Sequence, residues 1–279
     1  MSGTAVIAHF TLQEALRRRI VLAAFGLTLI FLALYAIGAH FAVQEVETSA
    51  LLLPSFRPIL LSQLLLSGVW VVNMATSLLA IFAAAGSLGA EIENHTLHAI
   101  ASKPLARWEI VAGKWLGLAS MLVVYSVLAS SAVIGIVWLR AGYTPPNPGL
   151  ALFALSFQAL VLVSLTLLGS AVLQPLAAGV GVFMLHAIAV IGGLQEQLGY
   201  VLRNETMQQI GVWVSLAIPS DTMARLAAAA LQTTSGAASA MPGPFSVPSA
   251  PSGWMVLYAA LYLTACLLGT IESFARRDL

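Results

Sequence analysis

Six apolar runs, each about as long as a lipid bilayer is thick, dictate what this chain can become. They occupy residues 20–40, 59–89, 108–139, 150–173, 176–194 and 254–273. A helix needs about 20 apolar residues to cross a hydrocarbon core of ~30 Å. In that core every backbone N–H and C=O must be satisfied within the chain, so each run is read as a spanning helix. The fold class is therefore all-α, a polytopic membrane protein with six transmembrane helices and one transmembrane domain over residues 1–279.

Composition agrees. Only 8% of the 279 residues are charged and 59% are hydrophobic, with a mean hydropathy of +0.93. Too few polar residues exist to cover a water-soluble fold of this size. A net charge of +1 offers no field for nucleic acid, and no nucleic-acid partner is expected. The single cysteine, Cys266, excludes an internal disulfide and a multi-cysteine metal site.

Basic residues set the orientation. With the N-terminus inside, the inner segments hold Arg17, Arg18, Arg19, Lys103, Arg107, Lys114, Arg276 and Arg277, against Arg57, Arg140, Arg203 and Arg225 outside. Eight against four places both termini in the cytoplasm. The run after Arg19 is longer than a signal-peptide core and is read as an uncleaved first span.

Three polar segments carry the remaining information. Residues 4–19 form a helix with Thr4 as cap, lying along the inner leaflet, with Thr11, Glu14 and Arg18 on one side. Residues 91–102 form a short amphipathic cytoplasmic helix. Its acids come first, Lys103 follows, and Pro104 stops it. Ile92, Thr96 and Ile100 align on one face, which Leu97 extends. A simple connector needs no such face, so something docks there. The outer loop, 195–253, contains one or two helices up to about residue 232, broken at Pro219-Ser220-Asp221 with Ser220 or Asp221 as cap. Its apolar stretch Gly211–Ile218 is too short to span. It either re-enters the membrane or packs on the outer helix ends.

No phosphate-binding loop is present, since Gly113-Lys114 lacks the upstream glycine and the following Ser or Thr. The chain is not an enzyme alone and carries no cofactor. His95 and His98, with Glu91, have spacing compatible with a metal, but no second cluster completes a coordination shell, and they are read as a polar face. Asn73, Gln158 and Gln174 are candidate pathway residues, because intramembrane polar groups face the bundle interior. No acid or base lies in the central part of a span, which argues against a proton- or sodium-coupled carrier. Gly113 and Gly117 form a small-residue pair for close helix packing, expected within one subunit.

The stretch Glu91-x-Glu93-x-x-Thr96-Leu97, followed by Ser102-Lys103-Pro104-Leu105-x-Arg107-x-Glu109-Ile110-x-x-Gly113-Lys114-x-x-Gly117, resembles ABC-2 type transporter permeases. Pro219-Ser220-Asp221 with Arg225-Leu226 resembles the branch containing the permease of the nitrous-oxide-reductase maturation transporter. His95 departs from the family pattern, where glycine usually precedes the Thr. The resemblance implies a permease of the bacterial inner membrane, an exporter, paired with a second copy or a related permease. It also implies two separate ABC ATPase subunits, which bind the ATP and Mg. Segment 91–102 would be the coupling helix, with Glu91, Ile92, Glu93, Thr96, Leu97, Ile100, Lys103, Pro104 and Arg107 serving the ATPase contact. Membrane lipid is a further expected partner. The alternative is a membrane scaffold that holds a periplasmic partner through the 195–253 loop.

Overall fold

A computed structural model describes residues 3–48, 57–93, 106–233, 245, 247 and 250–276, with side chains left undescribed at 88–93. Among the described residues the fold is all-helical. The order is α1 (Gly3–Arg17), α2 (Arg19–Thr48), α3 (Arg57–Glu93), α4 (Arg107–Ala141), α5 (Pro148–Val172), α6 (Pro175–Val201), α7 (Glu205–Ala217), α8 (Ser220–Leu231) and α9 (Gly253–Ala275). Helices α2, α3, α4, α5, α6 and α9 are long and apolar enough to cross a membrane. They correspond one for one to the six apolar runs.

Local chemistry explains the ends. Pro148 and Pro175 occupy the first turns of α5 and α6, where no N–H is needed. Gly142 closes α4 in the left-handed region at φ 64°, and its N–H donates to the Trp138 carbonyl at 2.9 Å. Asn204 caps α7 by accepting from the Met207 N–H at 3.2 Å. The α8 cap differs from expectation. Pro219 takes that position and Ser220 and Asp221 are already helical, because their side chains are engaged elsewhere.

Helix α5 is the central post, with 67% of its most apolar stretch buried against 11% for α2 at the periphery. One apolar cluster joins Leu79, Leu118, Leu122, Leu162 and Phe274. A second joins Leu65, Val133, Ala154, Met223 and Leu263. Polar bonds tie the helices between them. The Trp115 indole donates to Ser164 Oγ at 2.9 Å, linking α4 to α5. The Thr28 and Tyr125 hydroxyls meet at 2.5 Å, linking α2 to α4.

The ends of the spans fall on two faces. The starts of α2, α4 and α6 and the ends of α3, α5 and α9 share one face with α1, the chain-end face. The 142–147 turn lies on the other, beside the end of α8.

Helix α6 runs on to Val201, beyond the expected limit at residue 194. Helix α7 then folds back along it. A Cβ on Gly199 would meet the Gln208 N at 2.7 Å, one on Gly211 the Glu196 Cβ at 2.6 Å, and one on Gly192 the Val214 side chain at 2.4 Å. Glycine is required wherever the two backbones approach this closely. Ser220 Oγ lies 3.0 Å from His186 Nδ1. The α7–α8 hairpin thus packs back along the second half of α6, with Asp221 against Gly193. Helix α8 ends beside the 142–147 turn, where the Ala230 carbonyl accepts from the Asn147 N–H at 3.0 Å.

Candidate functional site

Five helices, α1, α2, α3, α4 and α9, are locked together on the chain-end face. Helix α1 lies across the start of α4. A Cβ on Gly113 would stand 2.7 Å from the Ile7 side chain, and one on Gly117 2.6 Å from the Ala8 carbonyl oxygen. The small-residue pair therefore serves packing inside the chain, as expected, and its partner is α1. Thr11 and Ala15 are buried in this contact. Arg18, at the bend into α2, bonds Glu14 at 2.7 Å and the Gly86 carbonyl of α3 at 3.1 Å. Lys114 is buried at 4% exposure and donates to the Ser87 carbonyl, fastening α4 to α3. Arg107 donates to the Ala275 carbonyl at 2.6 Å, fastening the start of α4 to the end of α9. Glu109 accepts from the Ala106 N–H at 3.2 Å and holds the first turn of α4.

This locked block flanks segment 91–102 on both sides. Glu91, Ile92 and Glu93 form the last turn of α3. Thr96, Leu97, Ile100, Lys103 and Pro104 lie outside the described residues, as do His95 and His98. Arg107 is the one member of the expected ATPase contact whose side chain is placed, and its guanidinium turns to α9.

The candidate pathway residues separate. Gln158 is 1% exposed at the centre of the bundle, and its Nε2 donates to Ser77 Oγ at 3.1 Å. Its Oε1 has no partner among the described residues. Asn73, one turn from Ser77 on α3, is also buried. Gln174 is exposed in the turn between α5 and α6 and is not brought to the other two.

On the opposite face Asn73 lines a cavity of about 150 Å³, together with Trp70, Gln197, Asp221, Arg225 and Phe245. A buried charge cluster forms its polar wall. Arg225 of α8 pairs with Glu196 of α6, with Asp221 at 3.0 Å, and with Ser215 Oγ of α7 at 2.8 Å. Gly193 makes room for it, since a Cβ there would stand 2.0 Å from Asp221 Oδ2. Burial pushes the Asp221 carboxyl up to about 7. Arg225 pulls it down, and the Glu196 charge pushes it further up.

Asp221 and Arg225 stand at i, i+4, a spacing that signals a helical ion pair. Glu196 gave no signal, because its partner comes from a helix that folds back on α6. Among the described residues no group of three or more His, Cys, Asp or Glu is placed to hold a metal.

A six-span helical bundle with a locked block on one face and a polar hairpin on the other is a polytopic membrane protein. The chain belongs to the ABC-2 transporter family: the profile of the family described as ABC-2 family transporter protein matches residues 5–279. It is accordingly a multi-pass membrane subunit of an ABC transporter, not catalytic itself, and works with ABC ATPase subunits. No curated protein matches the chain.

Proposed function

We propose that the chain is the permease subunit of an ATP-driven exporter in the bacterial inner membrane, with both termini in the cytoplasm. It pairs with a second permease, and two separate ATPases bind ATP and Mg. Segment 91–102 seats in the ATPase, with Ile92, Leu97 and Ile100 as the apolar anchor and Glu91 and Glu93 facing basic groups. The Pro219-Ser220-Asp221 and Arg225-Leu226 pattern favours the branch related to the nitrous-oxide-reductase maturation permease.

The observation that carries this reading is the locked block around segment 91–102. Lys114 ties α4 to Ser87 of α3, Arg18 ties the start of α2 to Gly86 of α3, and Arg107 ties α4 to the end of α9. Glycines 113 and 117 seat α1 on α4. A push delivered between α3 and α4 thus reaches α1, α2 and α9 together. ATP-driven closure of the ATPases favours one of two arrangements of the bundle. The seam formed by Asn73, Ser77 and Gln158 between α3 and α5 opens or closes with it.

The test is purification of the tagged chain in mild detergent with its ATPase co-expressed. A stoichiometric ATPase is expected with the unsubstituted chain, and Leu97→Glu should release it. An ATPase that never accompanies the chain, or that stays bound to Leu97→Glu, overturns the assignment of segment 91–102.

A further inference from the structure

Helices α2 and α3 touch at two levels and part between them. Toward the opposite face the Tyr35 ring presses on Gly68, where a Cβ would stand 2.5 Å from it, and the Tyr35 hydroxyl donates to the Leu64 carbonyl at 2.8 Å. At the chain-end face Arg18 spans the gap to the Gly86 carbonyl at 3.1 Å. Between these clasps lies a slot of about 330 Å³, walled by Ala24, Leu27 and Phe31 of α2 and by Ala75, Leu79 and Phe82 of α3. The one polar side chain on its wall, Thr28, is occupied by the Ala24 carbonyl at 2.8 Å and by the Tyr125 hydroxyl.

A slot this large and this apolar does not hold water, which needs polar partners. Left empty, it would forfeit dispersion contacts along both helices. Its length selects the occupant. The lining runs from Ile20 to Phe31 on α2 and from Val71 to Phe82 on α3. Eleven residue steps are ~16 Å of helix, about half of a ~30 Å hydrocarbon core. The slot therefore spans one leaflet, from the chain-end face to the midplane.

Charge gathers at its mouth. Arg17, Arg18 and Arg19 precede Ile20 directly. Arg18 is committed to Glu14 and Gly86. Arg17 and Arg19 are exposed, and neither has an ion-pair partner among the described residues. Arg17 lines an open pocket of about 510 Å³ with Phe10, Gln13, Glu14 and Arg18. Among the described side chains three cations stand against one carboxylate, a balance that favours an anionic group at the membrane surface.

We propose that this is a resident-lipid site. One acyl chain of an anionic phospholipid fills the α2–α3 slot, and its phosphate is held by Arg17 and Arg19. Between the two clasps the lipid takes the place of direct packing of α2 on α3. The site needs only the membrane fold and holds whether or not the permease exports.

The experiment is native mass spectrometry of the purified, delipidated full chain offered dioleoyl phosphatidylglycerol or dioleoyl phosphatidylcholine. One phosphatidylglycerol per chain should be retained, preferred at least tenfold over phosphatidylcholine. Arg17→Gln with Arg19→Gln should reduce that preference below twofold. Ala75→Trp, which fills the slot, should abolish retention of either lipid. If Ala75→Trp does not fold, dihexanoyl phosphatidylglycerol offered to the unsubstituted chain asks the same question, and weak retention of this short-chain lipid is expected. Equal retention of the two dioleoyl lipids by the unsubstituted chain overturns the proposal. So does retention by a folded Ala75→Trp chain, or dihexanoyl lipid held as firmly as dioleoyl.

Discussion

Gly117 and Ala8 meet so closely that a Cβ on Gly117 would come within 2.6 Å of the Ala8 carbonyl oxygen. The obstacle is backbone and cannot rotate away. Gly117→Ala is therefore expected to cost about 1–3 kcal/mol, the usual penalty for overpacking a well-packed contact. Gly135, on the same helix with nothing within 4 Å of an added Cβ, supplies the control. Gly135→Ala should be neutral or stabilising by up to ~1 kcal/mol. Thermal unfolding in detergent measures both. Trypsin cleavage after Arg17 to Arg19 should accelerate only in the Gly117 variant, as α1 lifts from α4.

Removal of the cation from the α7–α8 hairpin should be severe. Arg225→Met leaves Glu196 and Asp221 facing each other with side-chain exposures of only 21% and 10%. Breaking a buried pair in this way costs about 3–5 kcal/mol. Adding Glu196→Gln and Asp221→Asn to Arg225→Met should recover much of the loss, because no uncompensated charge remains. A triple variant as unstable as the single one would show that Arg225 acts through packing instead.

Asp221 also predicts a pH dependence. Its carboxyl is held at about 7 in the fold, above its ordinary value of 3.8, by burial first and by Glu196, with Arg225 opposing. The folded chain thus binds this proton more tightly than the unfolded chain. The resulting stability is complete below pH 3.8 and is lost as pH rises through about 7. Between pH 5 and 8 the melting temperature of the unsubstituted chain should fall, and Asp221→Asn should flatten the slope. An unchanged slope in that variant would assign the pH response to another group.

Gln158 separates structure from transport. One of its polar atoms bonds Ser77 and the other has no partner among the described residues. Interhelical hydrogen bonds in membranes average ~0.6 kcal/mol, so Gln158→Leu should alter stability by less than ~1 kcal/mol. If the Asn73–Ser77–Gln158 seam conducts cargo, ATP-dependent transport into vesicles should drop more than tenfold while the chain stays folded. Undiminished transport would remove Gln158 from the pathway.

The six spans were legible because bilayer thickness writes itself into sequence as apolar length. Interactions that depend on chain reversal were not. The fifth apolar run ends at residue 194, where Gln195, Glu196 and Gln197 turn polar, yet Arg225 pairs with Glu196 and the helix continues to Val201. Ser220 and Asp221 looked like helix caps, but His186 and Arg225 claim their side chains. Gly113 and Gly117 announced close packing without naming α1 as the neighbour. Asn73 and Gln158 were recognisable as buried polar groups by residue type alone. Gln174 was not separable from them, since its exposure follows from the Pro175 turn beside it.

The 29-residue separation of Glu196 and Arg225 also sets an order of biosynthesis. A chain entering the membrane from its N-terminus delivers Glu196 at the tip of α6 well before its arginine has left the ribosome. Until then α6 carries an unpaired acid that resists burial. The last stretch of α6 can settle only once α7 and α8 have been made, so the fifth span is finished by two helices of 13 and 12 residues, too short to cross a membrane.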